Sequence, residues 1–180
     1  IVRYLVENSL GRLWMLNNPE SKLTESMEYY IKPEEQQEEF LKVNSPEEIK
    51  ICDPACGSGH MLTYAFDVLY RIYEEEGYDA SEIPSKILTN NLFGVEIDER
   101  AGELAAFALT MKAREKQRTF FSKRIQPNIC VLENIDLSIK EEQQTLFTTE
   151  NKDEKWKQII DTICKAGVNR ENLIHDLNLF

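Results

Sequence analysis

The chain has 180 residues, 42% of them hydrophobic, and its 21 Lys and Arg stand against 32 Asp and Glu for a net charge of −11. That is enough apolar material for one domain with a real core, and no apolar run approaches the roughly 20 residues that a membrane helix needs. The acidic balance argues against these residues being the main clamp for nucleic acid, which needs a basic face. It leaves room for a DNA-acting enzyme whose DNA-reading surface lies elsewhere in a longer chain.

Residues 1–17 carry Val2, Leu5, Leu10, Leu13 and Trp14 at loosely helical spacing, stopped by Asn17-Asn18-Pro19. The chain begins at Ile1 without a methionine and already reads as structured there, as expected of a piece of a longer protein. No signal peptide pattern precedes the domain, so a cytoplasmic location and no membrane partner are expected. Residues 20–48 are mostly polar, with Tyr29, Tyr30, Ile31, Phe40 and Leu41 as expected anchors and a solvated acidic cluster from Glu34 to Glu39.

The spacing then predicts a strand over 49–53, a glycine turn, and a helix from Met61 to Glu76 whose Leu62, Ala65, Phe66, Leu69, Ile72 and Tyr73 share one face. Gly77 suits its C-terminal cap. A connection follows, with a short helix after Pro84, and then a second strand over 92–97. Asp98 is a natural N-cap for a second long helix over 99–116, with Ala101, Leu104, Ala105 and Ala108 as its expected buried stripe. Arg114 to Arg124 is basic and expected at the surface, and a third strand is predicted over 128–133. Beyond Leu137 the pattern changes to a polar loop, a helical face at Trp156, Ile159, Ile160 and Ile163, and a short helix over 171–178. The expected organisation is therefore a helical segment over 1–48, a ligand-binding half-domain over 49–137 and a helical segment over 138–180.

Strand, helix, strand, helix, strand implies an α/β fold with parallel strands, and in such sheets the ligand lies at the carboxyl ends of the strands. Three polar groups of residues fall there: Asp53 to Gly59, Glu96-Ile97-Asp98, and Glu133-Asn134-Ile135-Asp136. Two glycines after the first strand let the backbone pass close to a ligand. A carboxylate ending the second strand suits a ribose diol, which assigns Glu96 to that role, whereas Asp98 reads as a plain helix cap. Asn134 or Asp136 could bond an adenine amino group.

The turn argues against a phosphate. Leu62 occupies the third glycine position of the dinucleotide-binding pattern, and the acid Asp53 would repel a pyrophosphate. A cofactor carrying an ammonium and a sulfonium would be welcomed, and S-adenosylmethionine is such a cofactor. Cys52, Cys56, Cys130 and Cys164 show no metal-binding spacing and are expected as buried, reduced thiols. His60 opens a helix beside the turn, and His175 and Trp156 read as a surface residue and a core anchor.

DPACGSGHMLTYAFDVL and NNLFGVEIDERAGELAAFALTMKAR resemble the cofactor-binding motifs of adenine-specific DNA methyltransferases. The likeness is to the large enzymes of BREX-type phage defence (the PglX group) and to single-chain restriction-modification enzymes. IVRYLVENSLGRLW resembles the helix before their first motif. The resemblance covers roughly residues 1–137 and is specific from 49 to 114. It implies a partial Rossmann-like S-adenosylmethionine-dependent methyltransferase fold, with three parallel strands, flanking helices and the remaining strands missing. It implies that Asp53, Ala55, Cys56, Gly57 and Gly59, with Pro54 among them, line the methionine end. By the same likeness Glu96 holds the ribose, Ile97 packs on the adenine, and Asn134, or failing it Asp136, meets the adenine edge.

One departure bears on activity. The family's catalytic motif, Asn or Asp followed by Pro-Pro and an aromatic residue, occurs nowhere in the 180 residues. In the family it grips the amino group of an adenine flipped out of the duplex. The expected function is thus cofactor binding within a DNA adenine methyltransferase, with DNA bound by other parts of the parent chain and no methyl transfer by these residues alone. A methyltransferase acting on RNA, protein or a small molecule, and a non-catalytic interaction module on the same fold, are the rival readings. The first strand is expected at a sheet edge, where it invites self-association or covering by residues after 138.

Overall fold

The computed structural model describes residues 1–33 and 39–132, which belong to one compact unit, Ile1–Leu132. Glu34 to Glu38, Asn134, Asp136 and everything expected after Leu137 lie outside the described residues. Within the unit, β1 (Ile51–Asp53), β2 (Leu92–Glu96) and β3 (Asn128–Val131) form one parallel sheet in the order β1-β2-β3. Ile51 pairs with Leu92 and Asp53 with Gly94, while Phe93 pairs with Asn128 and Glu96 with Val131. The predicted α/β class holds, and each strand begins or ends within two residues of its expected bounds.

Helix α3 (His60–Glu75) connects β1 to β2. Its expected face is buried throughout, with Phe66, Leu69, Ile72 and Tyr73 all at 0% exposure. Each such side chain contributes about 1.5–3 kcal/mol by leaving water. The helix stops where Gly77 takes φ 79°: Gly77 N–H donates to Glu74 O and Tyr78 N–H to Tyr73 O, both at 3.1 Å. Helix α4 (Ile83–Lys86) widens into a π-turn, Ile87–Asn91, that leads into β2. There Asn91, fully buried, donates to Pro46 O at 2.7 Å and Ile49 O at 2.8 Å and accepts from Tyr73 Oη at 2.9 Å. This polar clamp fixes the entry into β1 against α3 and β2, and it leaves no side-chain polar atom of Asn91 unsatisfied.

Helix α5 (Glu99–Lys116) joins β2 to β3, capped as predicted by Asp98, whose carboxylate accepts from Arg100 N at 2.9 Å and Ala101 N at 3.2 Å. Its buried stripe differs from the expected one. Gly102, Ala105, Leu109 and Ala113 face the core, Ala101 and Ala108 are half-buried, and Leu104 is 52% exposed. The reason is close approach: a Cβ placed on Gly102 would lie 2.6 Å from Val131 Cγ2. The glycine, which carries no hydrophobic signal, sets the face that meets β3.

The amino-terminal helix shows a similar shift. Helix α1 (Val2–Val6) and helix α2 (Arg12–Asn17) are joined by a π-turn, Glu7–Gly11. Val6, Leu10 and Trp14 are buried, while Leu5 is exposed and Leu13 half-buried. The wide turn stretches the repeat to four residues, so the face departs from 3.6 spacing. The anchors expected in 20–48 also change: Tyr29, Ile31 and Leu41 are exposed, and Tyr30 and Phe40 are half-buried. Leu23, Met27 and Val43 are buried instead, with Met27 seated on Gly11, where a Cβ would stand 2.4 Å from its sulfur. Of the thiols expected to be buried, Cys56 is, Cys130 is half-buried and Cys52 on β1 is exposed, since β1 has a neighbour on one side only among the described residues.

Candidate functional site

The turn after β1 is held by hydrogen bonds that the sequence order explains. Asp53 ends the strand, and its carboxylate accepts from Ala55 N at 3.2 Å, which bends the chain at Pro54. Cys56 N–H donates to Val95 O at 3.0 Å, hooking the turn onto β2, and Gly59 N–H donates to Cys56 O at 2.8 Å. Gly57 N–H then reaches the Glu96 carboxylate at 2.6 Å. The two features that sequence reasoning assigned to one ligand therefore meet at the carboxyl edge of the sheet.

Gly57 and Gly59 serve different ends. Both hold positive φ, 51° and 80°. A Cβ on Gly59 would stand 3.0 Å from Ala105 Cβ and 3.1 Å from Ala105 Cα, so α5 passes hard against the start of α3. A Cβ on Gly57 would meet nothing within 4 Å. The space beside Gly57 is open, and the backbone there can be approached closely by a ligand.

Glu96 is the most connected side chain of the edge. One oxygen accepts from Ile97 N at 2.9 Å and Asp98 N at 3.1 Å, and the other from Gly57 N at 2.6 Å. The backbone donors of Asp98, Ile97 and Gly57, in that order of effect, hold its carboxyl below the usual glutamate range. A carboxylate has about four lone-pair sites, so Oε2 retains one for a further donor. Ile97 beside it is 80% exposed, an apolar side chain presented to solvent. The Cys56 thiol is pushed up by burial first and then by the charges of Asp53 and Glu96, which keeps it protonated and unfit as a nucleophile.

Asp53 and Pro54 border a groove of about 540 Å³ between β1 and the amino-terminal helix. Its walls are largely apolar, with Leu5, Leu10, Ile49, Ile51 and Met61 among them. His60, the first residue of α3, is exposed. Asn134, expected at the adenine edge, lies outside the described residues.

Sequence reasoning missed one acidic site. Glu7 is 0% exposed, in the π-turn of the amino-terminal helix, and accepts from Tyr29 N and from Tyr64 Oη, each at 2.5 Å. Tyr64 is pushed up to about 12, by burial first and then by its hydrogen bond to Glu7. The available signal was a glutamate three and seven residues before Leu10 and Trp14, on the buried face of the helix.

A parallel sheet with a glycine turn and a carboxylate meeting at its strand ends defines a domain of the nucleoside-cofactor α/β class. The chain belongs to the family described as MmeI, DNA-methyltransferase domain, whose model matches residues 31–174. It is 47% identical to the adenine-specific methyltransferase BrxX of Escherichia coli O9:H4 (strain HS) over 149 residues, which are 78% of this chain and 12% of that protein. It is 40% identical over 154 residues to the adenine-specific methyltransferase PglX of Lacticaseibacillus casei (strain Zhang), covering 78% of this chain and 13% of that one. A putative type II restriction enzyme and methyltransferase of Methanocaldococcus jannaschii matches at 36% identity over 92 residues, 46% of this chain and 8% of the other. The chain thus spans about an eighth of the length of the first two relatives.

Proposed function

We propose that this chain is the S-adenosylmethionine-binding half of a domain that methylates the exocyclic amino group of adenine in DNA. The observation that carries the reading is the 2.6 Å hydrogen bond from Gly57 N–H to Glu96, which brings the turn after β1 and the carboxylate ending β2 to one crevice. Bound there, S-adenosylmethionine supplies a methyl group on a cationic sulfur. The donor set suits it: two carboxylates, Asp53 and Glu96, and open space beside Gly57 favour a cation and a ribose diol over a pyrophosphate.

In this reading Glu96 accepts one ribose hydroxyl on its remaining Oε2 lone pair, and the second hydroxyl takes the place of the Gly57 N–H. Ile97 covers one face of the adenine. Asp53, Pro54, Ala55, Cys56, Gly57 and Gly59 line the methionine end, and the adenine edge is assigned by resemblance to Asn134 or, failing it, Asp136, both outside the described residues. These groups align the donor, and alignment is a large part of the rate in a displacement at carbon. The 180 residues hold no Pro-Pro-aromatic motif to grip the acceptor base, so they bind the donor without methylating DNA. Two relatives are named adenine-specific methyltransferases and a third a putative type II restriction enzyme and methyltransferase, which supports a role in phage defence or restriction-modification, in the cytoplasm with the DNA. No described helix is long and apolar enough to cross a membrane.

β1, paired on one side only among the described residues, and the apolar groove beside it also support self-association of the chain, to be read by light scattering against concentration. A monomer at every concentration would remove that part of the reading.

Calorimetric titration of the chain with S-adenosylmethionine tests the cofactor assignment. One site per chain is expected, and a folded sample giving no heat would favour a non-catalytic module. Incubating the chain with methyl-labelled cofactor and DNA is expected to leave the DNA unlabelled.

A further inference from the structure

The chain's charge is unevenly placed. Residues 112–124 hold six of its 21 basic residues and, in Glu115, one of its 32 acidic ones. They form the last turn of α5, the short 3-10 turn Phe120–Lys123 and the start of the approach to β3. This is the amino edge of the sheet. The 18 residues of α5 separate it from Glu96 by about 27 Å.

Two of the six cations are internally engaged. Lys112 is ion-paired with Asp67 at 2.6 Å, and Lys123 donates to Ser81 O at 2.8 Å and Ser85 Oγ at 3.0 Å. The other four, Arg114, Lys116, Arg118 and Arg124, have no carboxylate within ion-pair distance among the described residues. Two of these four lie over aromatic rings, and the backbone of a third is fixed by its turn. Arg114 lies over the ring of Phe121 at 5.7 Å and Lys116 over that of Tyr70 at 4.5 Å. Arg124 is locked in the left-handed region at φ 53°, the one described non-glycine residue there, with its N–H on Phe121 O at 3.3 Å. Lys116, Arg118 and Arg124 are exposed. In a chain this acidic, four cations with no acid partner among the described residues are a concentrated local field that the net charge hides.

We infer that Arg114, Lys116, Arg118 and Arg124 form a surface that grips the phosphate backbone of duplex DNA without reading its sequence. The inference rests on the proposed function for its choice of polyanion, and it adds a contact on the side of the sheet away from the crevice. Guanidinium groups suit phosphate oxygens by their planar fork. Among the described residues the patch is made of cations at a helix end and a short turn, which suits it to position and not to select.

The test is fluorescence anisotropy of the full chain with a labelled mixed-sequence 30-base-pair duplex between 50 and 200 mM NaCl. The wild type is expected to bind at the lower salt and weaken steeply as salt rises. The triple variant Lys116→Gln/Arg118→Gln/Arg124→Gln is expected to lose about tenfold or more at 50 mM, and its log–log salt slope should flatten by about 0.9 for each phosphate contact removed. Arg118→Lys/Arg124→Lys, which keeps the charge, is expected to retain most of the affinity. Wild-type chain that ignores the duplex at 50 mM, or a triple variant that binds like wild type, overturns the inference. Preference for polyglutamate over DNA overturns it in favour of an acidic protein partner. Titrating the same samples with S-adenosylmethionine separates the two readings. Normal cofactor binding without DNA binding sinks only the patch. Patch-dependent DNA binding without cofactor binding sinks only the proposed function.

Discussion

Two carboxylates of this molecule are satisfied in contrasting ways, Glu7 inside the fold and Glu96 at the carboxyl edge of the sheet. Glu7 is fully buried and spends its oxygens on Tyr29 N–H and Tyr64 O–H, so it ties the amino-terminal helix to the chain at 29 and to α3. Glu96 is half-exposed and takes three backbone N–H groups, one of them from Gly57, beside which the space is open. Both are well satisfied, but by different means. A buried charge needs partners that never leave, because an unpaired one costs several kcal/mol. A ligand-binding charge needs partners that hold its direction while one of them can be exchanged. Removing Glu7 should damage folding, whereas removing Glu96 should damage binding.

The largest effect is expected at Glu7. Glu7→Ala leaves the half-buried Tyr64 phenol and the Tyr29 N–H without their acceptor and should cost about 2–4 kcal/mol in urea denaturation. Cofactor affinity of the remaining folded protein should be unchanged. An unaltered midpoint would mean that water already reaches the pair. Next comes Gly59→Ala, which combines a positive φ with contact against Ala105 and should cost about 2 kcal/mol. Gly57→Ala, strained in φ but facing open space, should cost less in stability and more in cofactor affinity. If both variants lose the same stability and the same affinity, the distinction between packing and ligand approach fails.

The smallest effect is one of pH. The Glu96 carboxyl is lowered in the folded state, so its stabilising bonds are fully present above the ordinary glutamate value of about 4.3 and are lost as pH falls through the folded value. Between pH 7 and 5 the turn should stay closed, as read by the amide signals of Gly57, Ile97 and Asp98. In more acid solution these three signals should move together. Movement of Gly57 alone, or movement near neutrality, would uncouple the turn from Glu96.

The frame of the molecule was legible because its signals are local. Alternation of apolar runs, the Gly57 and Gly59 turn, the Asp98 cap and the Gly77 stop all act within a few residues of themselves. The meeting of Gly57 and Glu96 was legible by topology, since a parallel sheet places every strand end on one edge. Helix faces were less legible. The π-turn at Glu7–Gly11 shifted the phase of the first helix, and Gly102, with no hydrophobic signal, set the phase of α5. Long-range polar pairs were the least legible of all. Nothing near Glu7 points to Tyr64, and nothing near Asn91 points to Pro46. Size misled as well: Tyr29, Ile31 and Leu41 are larger or more apolar than their neighbours yet exposed, because the segment that carries them docks through Leu23, Met27 and Val43.

The most direct measurement is the calorimetric affinity for S-adenosylmethionine of wild type beside Glu96→Ala, with matched circular dichroism. A crevice built on Glu96 predicts that the variant stays folded and loses at least about tenfold in affinity, the removal of charge-assisted hydrogen bonds to the ribose. Equal affinities in two equally folded proteins would contradict it.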